Sequence, residues 1–166
     1  MSRRPLALLG FMGAGKTLVG ALVAERSRAT FFDLDIMVED RAGMPIADIF
    51  ATHSEAVFRA LEKELLPQTL KPGAVVALGG GVAMDDDNWQ LLSDQAVTVY
   101  LEVPFASLWS RIGHLSGRPL LARRSKEEVE ALFEQRRPRY EEATHRVDGD
   151  RDAVSVSNEV MKLWSG

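Results

Sequence analysis

At 166 residues and 18.3 kDa the chain can fill one good core but not two ordinary enzyme domains, so one domain over residues 1–166 is expected. A composition of 46% hydrophobic and 27% charged residues excludes a largely disordered chain, and a net charge of -4 gives no general attraction to nucleic acid or anionic membranes. The absence of cysteine excludes disulfides and thiolate chemistry, and the apolar run Leu6–Met12 is far below the roughly 20 residues of a membrane span, so a cytoplasmic location is expected.

The first apolar run, PLALLG (5–10), is short and non-alternating, as a strand covered on both faces would be. It leads into GFMGAGKT, Gly10 to Thr17, a full match to G-x-x-x-x-G-K-[ST], after which Val19, Leu22 and Val23 give a helical stripe. Such a strand, loop and helix let backbone N–H groups converge on phosphate oxygens, with Lys16 reaching the β- and γ-phosphates and the Thr17 hydroxyl suited to Mg²⁺. The glycine spacing differs from that of a dinucleotide loop. A nucleoside triphosphate with Mg²⁺ is the expected ligand.

TFFDLD (30–35) reads as a second strand with Asp33 and Asp35 near its C-terminal end. Residues two apart on an extended segment share a face, so one carboxylate can approach Mg²⁺ or an attacking hydroxyl while the other reaches an acceptor pocket. The alternative is a pair of solvated carboxylates capping a following helix, which the phosphate loop just upstream disfavours. Residues 36–66 are too long for one crossover helix, and RAGMPI is expected to divide two. Val57, Phe58, Leu61 and Leu65 stripe a segment expected to end at Pro67. On it, Arg59 and Glu62 are one turn apart, either an exposed ion pair or a binding face in which Glu62 orients the guanidinium for a carboxylate.

AVVALGGG (74–81) is a third strand ending in three glycines, which indicate a close approach by a ligand or by another segment, or a plain tight turn. AVTVYLEV (96–103) is a fourth, followed by a helix marked by Leu108 and Ile112. Residues 113–126, GHLSGRPLLARRSK, have no clear period, and Arg111, Arg118, Arg123 and Arg124 lie on or beside them; such an insertion suits a closing lid. EQRRPRYEEA puts Arg136 and Arg137 near a helix end before Pro138. HRVDG (145–149) is a weaker fifth strand, and Val156, Val160 and Leu163 mark the last helix. Strands alternating with helices imply an α/β fold: a five-stranded, mostly parallel sheet flanked by helices in three layers.

GFMGAGKT, FFDLD, IADIF, EAVFRALE, LGGGV, GRPLL and RRPRYEEA stand in the order and spacing of the shikimate kinases, a branch of the nucleoside monophosphate kinase-like P-loop proteins. Over essentially its whole length the chain resembles that family. The resemblance implies that Gly13, Ala14, Gly15, Lys16, Thr17 and Leu18 cradle ATP, with Thr17 and Asp33 toward Mg²⁺, and that Lys16, Asp33 and the lid arginine Arg118 carry the chemistry. It implies that Arg111, Arg118 and Arg151 also contact the nucleotide. For shikimate it implies Asp35 at the hydroxyls, Arg59 and Arg136 at the carboxylate, Glu62 steadying Arg59, and backbone donors at Gly80 and Gly81, with Ile46, Phe50 and Phe58 as an apolar wall. Residues 36–66 would be the acceptor-binding insertion and 113–126 the lid. Leu18 and Ser54 depart from the family pattern, and the match to R-x-P-x-Y favours Arg136 over Arg137.

The combined expectation is transfer of the γ-phosphoryl group of ATP to the 3-hydroxyl of shikimate by a monomer that binds neither nucleic acid nor membrane. A kinase for another small hydroxy acid such as gluconate, or an ATP-binding regulatory protein without turnover, are the alternatives. No N-K-x-D motif supports a guanine-nucleotide switch.

Overall fold

In the computed structural model, which describes residues 3–113 and 124–166, Leu6–Leu9 form strand β1 with all four side chains buried. Around it lie β2 (Phe31–Asp33), β3 (Val75–Ala77), β4 (Val97–Glu102) and β5 (His145–Asp148), in the order β2-β3-β1-β4-β5. Every pairing is parallel: Leu6 is opposite Val75 on one side and Val97 on the other, Phe31 is opposite Val75, and Val99 is opposite His145. Runs such as LALL and VVA, apolar at consecutive positions, suit this sheet because helices cover both faces. The sequence expectation of a three-layer α/β fold holds, and the sheet is parallel throughout.

The helices are α1 (Lys16–Ser27), α2 (Leu34–Ala42), α3 (Ile46–Thr52), α4 (Glu55–Thr69), α5 (Asp86–Gln95), α6 (Phe105–Ile112), α7 (Lys126–Tyr140) and α8 (Ala153–Ser165). Helix α1 seats closely on the sheet at Gly20, where a Cβ would lie 2.7 Å from the Phe31 ring and 3.3 Å from Leu8. Phe133 of α7 meets Phe11 of the glycine loop edge-on, with centroids 5.4 Å apart, and also packs on Phe105 of α6 at 5.7 Å. The loop after β1 is thereby braced by two helices from the far end of the sequence.

Four expectations are corrected. Strand β2 stops at Asp33, and Asp35 lies in α2, because the Asp33 carboxylate accepts from the N–H groups of Asp35 (3.0 Å) and Ile36 (3.3 Å) and starts a helix there. Residues 36–66, expected to hold two helices, carry parts of α2 and α4 with α3 between them, separated by Gly43 in the left-handed region (φ 70) and by Ser54, which caps α4. Neither proline ends its helix: α4 continues past Pro67 to Thr69 and α7 past Pro138 to Tyr140. Burial of Leu65, Leu66 and Thr69, and a hydrogen bond from the Thr69 hydroxyl to the Leu66 carbonyl (2.8 Å), hold the last turn of α4 despite the missing N–H. Val57 is 41% exposed and stands off the buried stripe. Helix α5 was not foreseen; Asp85 caps it through the Asn88 N–H (3.0 Å), and Leu92 anchors it in the core.

Candidate active site

Parallel strands all point the same way, so the segments after β1, β2 and β3 emerge at one edge of the sheet. The segment after β1 is the glycine loop, and Gly13 (φ 84) and Gly15 (φ 95) take the left-handed backbone that lets it wrap. Gly15 is the N-cap of α1 and makes no side-chain cap, so the helix start is suited to an external anion. A cavity of about 330 Å³ lies over this end, lined by Met12–Leu18, Asp33, Asp35 and Gly80 among others. Lys16 Nζ donates to the Gly10 carbonyl and to that of Phe11 (3.2 Å). Thr17 Oγ1 donates to Asp33 Oδ2 at 2.7 Å, so the expected metal-side hydroxyl and carboxylate come together even though Asp33 also caps α2.

Arg111, from the end of α6, donates to the Gly13 carbonyl (2.9 Å) and pairs with Asp150 (3.3 Å), which also accepts from the Ser107 hydroxyl (2.9 Å). Arg151 instead donates to the Asp148 carbonyl (3.0 Å) and pairs with Glu159. Arg118 and Arg123 lie outside the described residues. Arg124 is exposed just before the start of α7.

A second cavity, of about 260 Å³, adjoins the first. Its apolar wall is Ile46, Phe50 and Phe58, from α3 and α4, with the two phenylalanine rings 5.1 Å apart. Its polar side holds Asp35, Arg59, Glu62, Arg136 and the run Gly79–Gly81. The glycines make room for these side chains. A Cβ on Gly79 would lie 2.9 Å from both Asp35 Oδ1 and Glu62 Oε2, one on Gly80 3.0 Å from Arg136 Nη1, and one on Gly81 2.5 Å from the Arg59 guanidinium. Close approach by other segments is observed at the triple glycine, and Gly80 and Gly81 also form a turn.

Glu62 is only 1% exposed and receives Arg59 Nη1 at 2.6 Å, so the pair faces the pocket rather than solvent. Burial pushes the Glu62 carboxyl up to about 7 against the pull of Arg59, and the nearby Asp35 charge adds to the rise. Burial opposes the charge on Arg59, yet Glu62 and Glu55 hold its guanidinium above the ordinary value. Arg136 is 5% exposed; burial lowers its pKa, and the like charge of Arg59 acts in the same direction. Among the described residues its Nη1 and Glu62 Oε2 are buried without hydrogen-bond partners, a costly arrangement that a bound ligand would relieve. Arg137 faces away, paired with Glu134 (2.8 Å) and Glu141 (3.2 Å), which resolves the ambiguity in favour of Arg136.

Met12, Asp35 and Gly80 line both cavities, so the two chambers meet at a neck. The sequence placed Asp35 and Gly80 in the acceptor pocket and missed Met12 as a lining residue; its place inside the glycine loop was the available signal. Among the described residues no group of three His, Cys, Asp or Glu side chains could hold a metal. A hydroxyl beside a single carboxylate would instead suit a magnesium ion brought in on phosphate oxygens.

A phosphate-binding loop opening through a neck onto a small, arginine-marked chamber defines a P-loop kinase that phosphorylates a small anionic acceptor. The family model for shikimate kinase matches residues 12–164. The shikimate kinase of Moorella thermoacetica is 38% identical over 164 residues, covering 96% of this chain and 95% of that protein. The solved shikimate kinase of Acinetobacter baumannii, in complex with shikimate, superposes with a TM-score of 0.92 at 30% identity, covering 97% of this chain and 92% of that one. The Aquifex aeolicus enzyme gives a TM-score of 0.87 at 33% identity, covering 98% and 96%. The chain belongs to the shikimate kinase family.

Proposed function

We propose that the protein transfers the γ-phosphoryl group of ATP to the 3-hydroxyl of shikimate, giving shikimate 3-phosphate and ADP. The observation that carries this reading is that Met12, Asp35 and Gly80 line both the phosphate-loop cavity and the anion-seeking pocket. Arg59 and Arg136 grip the carboxylate of the acceptor, and the forked guanidinium suits its two oxygens. The apolar wall takes the face of the ring, and Asp35 accepts from ring hydroxyls.

The chain's own groups then perform alignment and charge neutralisation. The backbone N–H groups at the start of α1 and the Lys16 ammonium hold the phosphates, Lys16 exchanging its loop carbonyls for phosphate oxygens. Thr17 and Asp33 would hold Mg²⁺, which when bound offsets phosphate charge. Asp33 orients the acceptor hydroxyl and takes its proton late in the transfer. Arg111 sits against the loop at Gly13 on the nucleotide side, with Arg151 beyond it. Arg118, in the lid segment 113–126, closes over the transferring group and excludes water, while residues 36–66 form the acceptor-binding insertion of a single kinase domain. We further assign the protein to the cytoplasm as a monomer.

The test is an ADP-release assay with Mg²⁺ and a panel of shikimate, quinate, gluconate and nucleoside monophosphates. Turnover is expected with shikimate; preference for gluconate or a nucleotide would overturn the acceptor assignment.

A further inference from the structure

Helix α7 delivers two buried side chains to the acceptor side, Arg136 and, one turn later on the same face, Tyr140. The Tyr140 hydroxyl donates to the carbonyl of Gly80, and its ring stacks on Tyr100 of β4, with centroids 5.3 Å apart and planes 30° apart. A Cβ on Gly80 would be 3.5 Å from the Tyr140 oxygen and 3.0 Å from Arg136 Nη1, so phenol, guanidinium and glycine backbone converge on one point. The Gly80–Gly81 peptide has no side chain at either end to bias its orientation, and such a unit flips more freely than one flanked by side chains. In a planar trans peptide C=O and N–H point in opposite directions. Once the Gly80 carbonyl is tied to Tyr140, the Gly81 N–H of the same unit must point away from α7.

We propose that Tyr140 is a positioning residue for the acceptor: its hydroxyl locks the Gly80–Gly81 peptide so that the Gly81 N–H serves the pocket while Arg136 stays seated beside it. The inference rests on the shikimate reading above. The phenol is suited to the task, since burial keeps it protonated and therefore a donor throughout the working pH range. Tyr140 does not line the acceptor cavity, so it acts through Gly80 and Arg136 rather than by touching substrate.

The experiment compares wild type, Tyr140→Phe and Tyr100→Phe by steady-state kinetics with ATP and shikimate, together with thermal melting. Tyr100 provides the control because its buried hydroxyl has no partner among the described residues, and phenylalanine keeps the ring stack. Tyr140→Phe is expected to raise the KM for shikimate about fivefold to tenfold, the scale of one lost hydrogen bond, with KM for ATP unchanged within about twofold. Tyr100→Phe is expected to leave both constants unchanged. A shikimate KM unmoved in Tyr140→Phe overturns the proposal, as does a loss spread evenly over both KM values, kcat and melting temperature, which marks a merely structural role. Wild type that fails to turn over shikimate overturns the functional reading, and this inference with it.

Discussion

Glu62 shows how a single residue can set a pH dependence. Its carboxyl sits at about 7 in the fold against an ordinary value of 4.5, mainly because burial penalises the charge. A carboxyl raised on folding binds its proton more tightly in the native state, so the stability it contributes is complete below about pH 4.5 and is lost as pH rises through 7. Urea unfolding at pH 5 and pH 8 should therefore show wild type losing on the order of 1–3 kcal/mol relative to Glu62→Gln across that interval. Equal pH slopes for the two proteins would contradict the burial argument. Arg136 makes a second prediction at this scale. Arg136→Lys keeps the charge but loses the fork, and should raise the KM for shikimate by roughly 10- to 100-fold while leaving that for ATP nearly unchanged, as read by initial rates with each substrate varied in turn. Sequence spacing alone allowed Arg59 and Glu62 to be an ordinary surface pair; only the burial of Glu62 against the glycine run makes them part of a pocket, and burial is set by tertiary packing.

At the scale of elements, the end of β2 does two jobs with one side chain. Asp33 Oδ1 caps α2 while Oδ2 receives Thr17. The two roles separate by substitution: Asn retains an acceptor for the cap, whereas Ala removes both functions. Asp33→Asn should lose roughly 10²- to 10³-fold in kcat with little change in melting temperature, and Asp33→Ala should lose activity and about 1 kcal/mol of stability as well. A large fall in the melting temperature of the Asn variant would refute the separation. The segment after β3 yields a related prediction. Gly81→Ala would drive a methyl against the far end of Arg59, a flexible side chain, so the fold should survive with less than about 1 kcal/mol lost while the shikimate KM rises about tenfold. Calorimetry with kinetics on one preparation would check both halves. Strands β1, β3 and β4 were legible because buried parallel strands are largely apolar runs, and the glycine loop by its motif. Helix α5 was not, since DDNWQLLSDQ offers few apolar positions, and the prolines in α4 and α7 misled because packing around them outweighs local propensity.

For the whole molecule, what matters is that one sheet edge collects the residues of both cavities, from segments as far apart as Gly13 and Arg136. Motif order made that convergence readable in advance, yet the neck itself was not readable, because it depends on where Asp35 falls once α2 begins early. A water molecule cannot engage Arg59 and Arg136, so hydrolysis of ATP without acceptor should run at least about a hundredfold slower than transfer to shikimate, measured as phosphate release against ADP release. Brisk phosphate release without acceptor would refute that coupling. The shared passage at Met12, Asp35 and Gly80 also has a pharmacological consequence. A cyclic acid tethered to a nucleotide by a linker short enough to thread it would turn its second docking step into an intramolecular one, and such a hybrid inhibitor should outbind either half by about 10²-fold or more.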